Sequence, residues 1–169
     1  MLGRGLWLFP LLLIPVVVAA CGSSGGGDPA GDGDDPAAAR EQVVAAAREA
    51  ADRLAQVGRI SKVGGEWTVC GSPPAEAVEY GADGRLDSGG DQTGAIDAAA
   101  DAMTEAGWAV TDEGTDPYRW VNLERDGLTA SLRPDPLEGS DAVAWAIASS
   151  CIPVGDGESS EFDFKREEL

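Results

Sequence analysis

The chain has 169 residues, 43% of them hydrophobic, with 12 basic residues against 30 acidic ones and a formal net charge of −18. Nucleic acid is all but excluded as a partner, because binding it needs cationic groups that displace phosphate counterions. The same charge, whose plain reading is solubility, holds the body off an anionic lipid surface within a Debye length of about 8 Å. The absence of histidine removes the Ser-His-Asp and Cys-His nucleophile systems, the usual general base near neutral pH and the commonest zinc ligand.

Residues 1–20 carry a lone positive charge, Arg4, and an apolar core from Leu6 to Val18 broken only by Pro10 and Pro15. That is the anatomy of a secretory signal. Its end, Val18-Ala19-Ala20-Cys21, resembles the bacterial lipobox: an aliphatic residue, two small residues, then cysteine. A thiol is well suited to take a diacylglyceryl group, and small residues let a peptidase reach the bond before it. The resemblance implies that Cys21 becomes the lipidated first residue of the mature chain, attached to the outer face of the cell membrane. The alternatives are an ordinary signal cut elsewhere or an uncleaved anchor.

With Cys21 lipidated, Cys70 and Cys151 remain as one pair in an oxidising compartment. A disulfide there closes a loop of about 80 residues, worth about 4 kcal/mol through loop entropy. Two buried free thiols are the alternative. Gly22 to Asp35 has no apolar residue larger than alanine or proline and reads, with Cys21, as a flexible tether over 21–35. Its clustered aspartates lack the ligand spacing and closing glutamate of a calcium loop.

A domain is expected over 36–154. Asp35-Pro36 predicts a helix start, with Asp as cap and Pro at the first position. Val43, Val44, Ala47, Ala51 and Leu54 recur at helical period, giving an amphipathic helix over 36–57 with Gly58 as C-terminal cap. Arg48–Asp52 and Glu49–Arg53 fall at the favourable four-residue spacing. Trp67 to Cys70 reads as a short strand stopped by Gly71 and Pro73-Pro74, and 81–90 as a Gly/Asp-rich loop.

Asp91 is expected to cap a second helix ending near Ala106-Gly107, with Ile96, Ala99, Ala100 and Met103 on one face. Asp97, Asp101 and Glu105 stack on another face, either as an outward solvated row or as an acceptor for a cation or basic partner. Trp108 to Thr111 starts the β half. Asp126-Gly127 predicts a two-residue type I′ hairpin over 118–133. The turn pairs Arg125 with Leu128, Leu123 with Ala130 and Val121 with Leu132 on an inward face. Asn122 opposite Ser131 and Trp120 opposite Arg133 fall on the outward face. Val143, Trp145 and Ile147 alternate with alanines in a last strand before Cys151. Residues 155–169 have only Phe162 and Phe164 as anchors and read as an acidic disordered tail.

Together these elements predict an α+β fold, two amphipathic helices on one face of a mainly antiparallel sheet of about five strands. The disulfide is expected to tie the first strand to the last. The lipobox, Trp67 three residues before Cys70, the ending Ala106-Gly107-Trp108 and the strand ending Ser150-Cys151 resemble small actinobacterial lipoproteins of the LppA-like kind. The Ala, Gly, Asp and Arg bias, with only Lys62 and Lys165 as lysines, fits GC-rich coding of that origin. The resemblance implies a secreted α+β module over 36–154 and no activity.

Motif by motif, catalysis finds little footing. There is no phosphate-binding loop and no Ser-Xaa-Xaa-Lys, and no acidic pair is singled out by spacing for glycoside hydrolysis. No cofactor and no metal are expected. Tyr118, Trp120 and Arg133 form the candidate contact patch on the outward hairpin face, with the guanidinium over the indole. The competing reading is a cross-strand pair that shields backbone hydrogen bonds. The expected function is a non-catalytic binding or scaffolding module with a protein or cell-wall partner. The rivals are an accessory subunit of a membrane-protein complex and, last, a carboxylate-based hydrolase.

Overall fold

The computed structural model describes residues 35–71, 76–137, 141–155 and 157–169. The expected signal segment, Cys21, the tether up to residue 34 and the Pro73-Pro74 stop lie outside them. Among the described residues no helix is long and apolar enough to cross a membrane.

The first helix, α1, spans Pro36–Leu54 and starts as expected. Extended Asp35 accepts a hydrogen bond from the Ala37 amide at 2.9 Å, and Pro36 takes the first turn, where its missing N–H costs nothing. It buries Val43, Ala46, Ala47, Ala50 and Leu54. Gly58 is not its left-handed cap. A Cβ on Gly58 would lie 2.5 Å from the carbonyl oxygen of Asp87, so glycine there permits a close backbone approach. Glu49 reaches past its own helix to Arg125 at 2.8 Å, while Arg53 acts on it only through charge.

The second helix, α2, spans Gln92–Glu105 and buries Ala95, Ile96, Ala99, Ala100 and Met103. Asp91 holds the N-cap position without a side-chain cap bond. At the other end Gly107 has φ +91°, its N–H donates to Thr104 and the Trp108 N–H donates to Met103. That pair of bonds is a Schellman closure. Arg125 donates to the Ala106 carbonyl at 2.7 Å, a cation at the negative end of the helix dipole. In the acidic row of α2, Asp97 is taken by Arg119 at 2.8 Å, and Arg119 also holds Glu113 at 2.6 Å.

The strands are β1 Arg59–Val69, β2 Ala77–Asp87, β3 Ala109–Gly114, β4 Trp120–Arg125, β5 Leu128–Pro134, β6 Val143–Ala148, β7 Ile152–Pro153 and β8 Glu167–Glu168. They form one eight-stranded sheet in the order β3-β4-β5-β6-β2-β1-β8, with β7 also paired to β2 and every pairing antiparallel. The α+β architecture with two helices therefore holds, and the expected count of about five strands does not. The hairpin register is as expected, from Val121 opposite Leu132 to Arg125 opposite Leu128.

The expected loop at 81–90 is mostly β2. Its buried positions, Val78, Tyr80, Ala82, Gly84 and Leu86, alternate with half-buried ones. Glycine hides that pattern because an aromatic ring stands where its side chain would be. A Cβ on Gly84 would lie 2.5 Å from the Trp145 ring, its cross-strand partner, and one on Gly114 would lie 2.7 Å from the Trp120 indole. An aromatic lying across a strand glycine supplies the missing apolar cover. Only the end of β1, from Trp67, was legible as a strand, for a related reason: a bulge between Ser61 and Gly64, with Lys62 at φ 56°, shifts its alternation midway.

Cys70 and Cys151 are bonded, with Cα atoms 6.0 Å apart. The bridge joins the end of β1, the expected first strand, to the chain just after β6, the expected last one, with β2 between them. Cys70 follows β1 and Cys151 precedes β7, and both strands flank β2. Three steps along β2, Gly81 to Val78, match four along the facing chain, Ala148 to Ile152. This bulge is stabilised by the buried Ser149 hydroxyl, which accepts from the Tyr80 amide at 3.1 Å, and it carries Cys151 across β2.

Residues 157–169 depart from the expected disorder. Glu76 accepts from the amides of Gly157 and Ser159, a short 3-10 turn spans Glu158–Glu161, and β8 pairs with β1 through Gly64–Glu168 and Gly65–Glu167. Composition alone missed this because the anchors are few and far apart in the chain.

Candidate functional site: an open sheet face and an occupied edge

Both helices contribute to one buried cluster with the inward residues of the sheet. Residues alternating with that core point to the opposite face, which no helix among the described residues covers. There a shallow groove is lined by Asn122 and Glu124 of β4, Thr129 and Ser131 of β5, and Ala146 and Ala148 of β6. The alanines keep the floor low, and the flanking amide and hydroxyls supply donors and acceptors.

Trp120 and Arg133 stand on this face. The Arg133 guanidinium is 5.5 Å from the centroid of the Trp120 ring and donates to Asn122 at 3.0 Å. Both are half-buried, and the indole also covers Gly114. Tyr118 sits in the β3–β4 connection and is 48% exposed. The hairpin thus brings two of the three expected patch residues into contact, and part of that contact serves cross-strand cover.

A second arrangement involves residues that their sequence context did not single out. On the outer side of β1, Arg40 of α1 holds the Glu167 carboxylate through Nε at 2.9 Å and Nη2 at 2.6 Å. The Tyr80 hydroxyl donates to the same carboxylate. Trp67 packs edge-on to Tyr80 at 5.1 Å and against Phe162 at 4.8 Å between ring centroids. Leu169 packs on the core, and its amide donates to the Val63 carbonyl at 3.2 Å. Arg166 pairs with Asp83 and donates to the Lys62 carbonyl at 2.9 Å. Arg40 and Glu167 are 127 residues apart, so only the fold reveals the pair. The available signal was Trp67 and Tyr80 alternating with polar neighbours.

Electrostatics follow these pairs. Glu167 is held below the ordinary carboxylate range by hydrogen bonds from Arg40 and then from Tyr80. Burial, followed by the neighbouring carboxylate, pushes the Tyr80 phenol up to about 12, so it remains a donor near neutral pH. Glu49 is lowered by Arg125, Asp87 by Arg85 and Glu76 by Ser159. A carboxylate with a depressed folded pKa contributes stability above its ordinary range and loses it as pH falls through the folded value. Docking of residues 157–169 is therefore expected to weaken between about pH 5 and 3, around and below the ordinary Glu value near 4.3. The protection factor of the Leu169 amide, corrected for intrinsic exchange, should fall there ahead of the β4–β5 amides. A simultaneous loss in both regions would count against local release.

Against this geometry, no protein-family model matches the chain, and neither does any curated protein or solved structure.

Proposed function

We propose that the protein is a lipid-anchored extracytoplasmic module, held on the outer face of the cell membrane through Cys21, that binds or scaffolds a partner without catalysing. The anchoring part rests on the likeness of Val18-Ala19-Ala20-Cys21 to a lipobox. The binding part rests on one observation: the helices cover one face of a wide sheet, and the other presents a shallow groove of mixed apolar and polar lining beside Trp120 and Arg133. Such a surface suits a protein or cell-wall partner, because aromatic and arginine side chains beside hydrogen-bonding groups are favoured at interfaces.

An accessory subunit of a membrane-protein complex is the runner-up and would use the same face. A hydrolase working with acidic side chains draws less support, since a general acid needs a raised carboxyl pKa. Every resolved carboxylate shift among the described residues runs downward, each with a hydrogen bond as its leading cause.

Photo-crosslinking on intact cells tests the reading. A cross-linker at Ser131, in the groove, is expected to give a discrete adduct, and one at exposed Asp52 of α1 is not. Labelled palmitate should enter the chain and be lost in Cys21→Ser. Equal, diffuse products from both positions, or label retained in Cys21→Ser, would defeat it.

A further inference from the structure

We infer that the outer edge of β1, with Arg40, Trp67 and Tyr80, is a binding site for an extended acidic peptide of a partner protein, occupied in cis by residues 162–169. The site is separate from the open sheet face and stands or falls independently of it.

The resident segment displays the recognition chemistry. It lies antiparallel to β1 and pairs its backbone with Gly64 and Gly65, the geometry of strand addition to a sheet edge. Its side chains supply four anchors in order: Phe162 on Trp67, Arg166 on Asp83 and the Lys62 carbonyl, Glu167 on Arg40 and Tyr80, and Leu169 against the core. The fitting ligand therefore carries an aromatic residue, an arginine four positions later, a carboxylate directly after it and an aliphatic residue two beyond that. Bidentate arginine contact favours a planar carboxylate over other polar groups. Tyr80 is 1% exposed, so its hydroxyl is a fixed donor in the wall of the site. In a chain with 12 basic residues against 30 acidic ones, Arg40 sits at this notch, Arg48 adds its field to Glu167 and Lys62 lies at the bulge beside it.

The occupant also leaves much of its edge unpaired. β1 has 11 residues, yet β8 pairs with two of them, and Val69 at the far end is 55% exposed. The Arg40 and Glu167 side chains remain 40% and 39% exposed, within reach of a competing carboxylate. A competing strand that kept pairing N-terminal to its carboxylate would add ladder bonds along Glu66–Val69.

The test uses the full chain and a fluorescein-labelled peptide of residues 157–169. The wild-type chain should bind the peptide weakly, because the tethered segment competes at a high effective concentration. Glu167→Ala in the chain is expected to raise affinity for the wild-type peptide at least about 10-fold. Adding Arg40→Ala to that chain, or placing Glu167→Ala in the peptide, should cancel the gain. Phe162→Ala offers a second way to open the site. Failure of both opened chains to bind, with circular dichroism unchanged, would overturn the inference. Concentration-dependent dimers that Arg40→Ala abolishes would overturn the partner in favour of exchange between copies.

Discussion

Truncating Trp145 to alanine is expected to lower the unfolding free energy by about 3–5 kcal/mol, the usual loss for a buried large aromatic. Trp145 is 1% exposed at the centre of the sheet, opposite Leu132 of β5 on one side and Gly84 of β2 on the other. Its removal uncovers Gly84 as well as leaving a void, and a glycine in mid-strand has no side chain to shrink the cavity. The indole Nε1 has no hydrogen-bond partner among the described atoms. Trp145→Phe should therefore cost less than half as much, since it keeps a ring over Gly84 and deletes an unsatisfied donor whose burial costs about 1–3 kcal/mol. Urea midpoints at unchanged slope would read both effects. A phenylalanine variant as weak as the alanine one would show that the glycine cover is not what the ring provides.

Opening the Cys70–Cys151 bond should remove about 4 kcal/mol, because it frees an unfolded chain closed over a separation of 81 residues. For a domain of this size that corresponds to a melting temperature lower by about 10–20 °C. The denaturant slope should rise at the same time, since an uncrosslinked unfolded chain exposes more surface. Reductant and the double variant Cys70→Ala with Cys151→Ala ought to agree. An unchanged midpoint with either would mean that the bulge at Ser149 and the β2 ladder hold this corner without the bridge.

Local signals in the chain were reliable wherever a residue's role depends on its immediate neighbours. Asp35-Pro36 starts α1, Gly107 closes α2, and Asp126-Gly127 sets a hairpin whose five cross-strand pairs include the three inward ones expected. They misled where a glycine makes room for a group distant in the chain. Gly58 permits an approach to Asp87, and Gly84 lies beneath Trp145, a residue 61 positions away. The candidate sites divide in the same way. Trp120 and Arg133 were legible because a hairpin register is local, whereas Arg40, Tyr80 and Glu167 come from three distant elements and converge only once β1 and β2 have paired.

What the amino-acid order determined by itself was the helix starts, the stop of α2, the hairpin, the cysteine pair and the chemistry that a chain without histidine must forgo. Each depends on backbone preference, on periodicity or on which residue types are present. Tertiary structure alone decided that the glycine-rich stretch is a central strand, that the disulfide straddles β2, and that the acidic last residues lie on a sheet edge. The reason is physical: a cross-strand aromatic, a bulge and an arginine from another element each add stabilisation that no window of neighbouring residues contains.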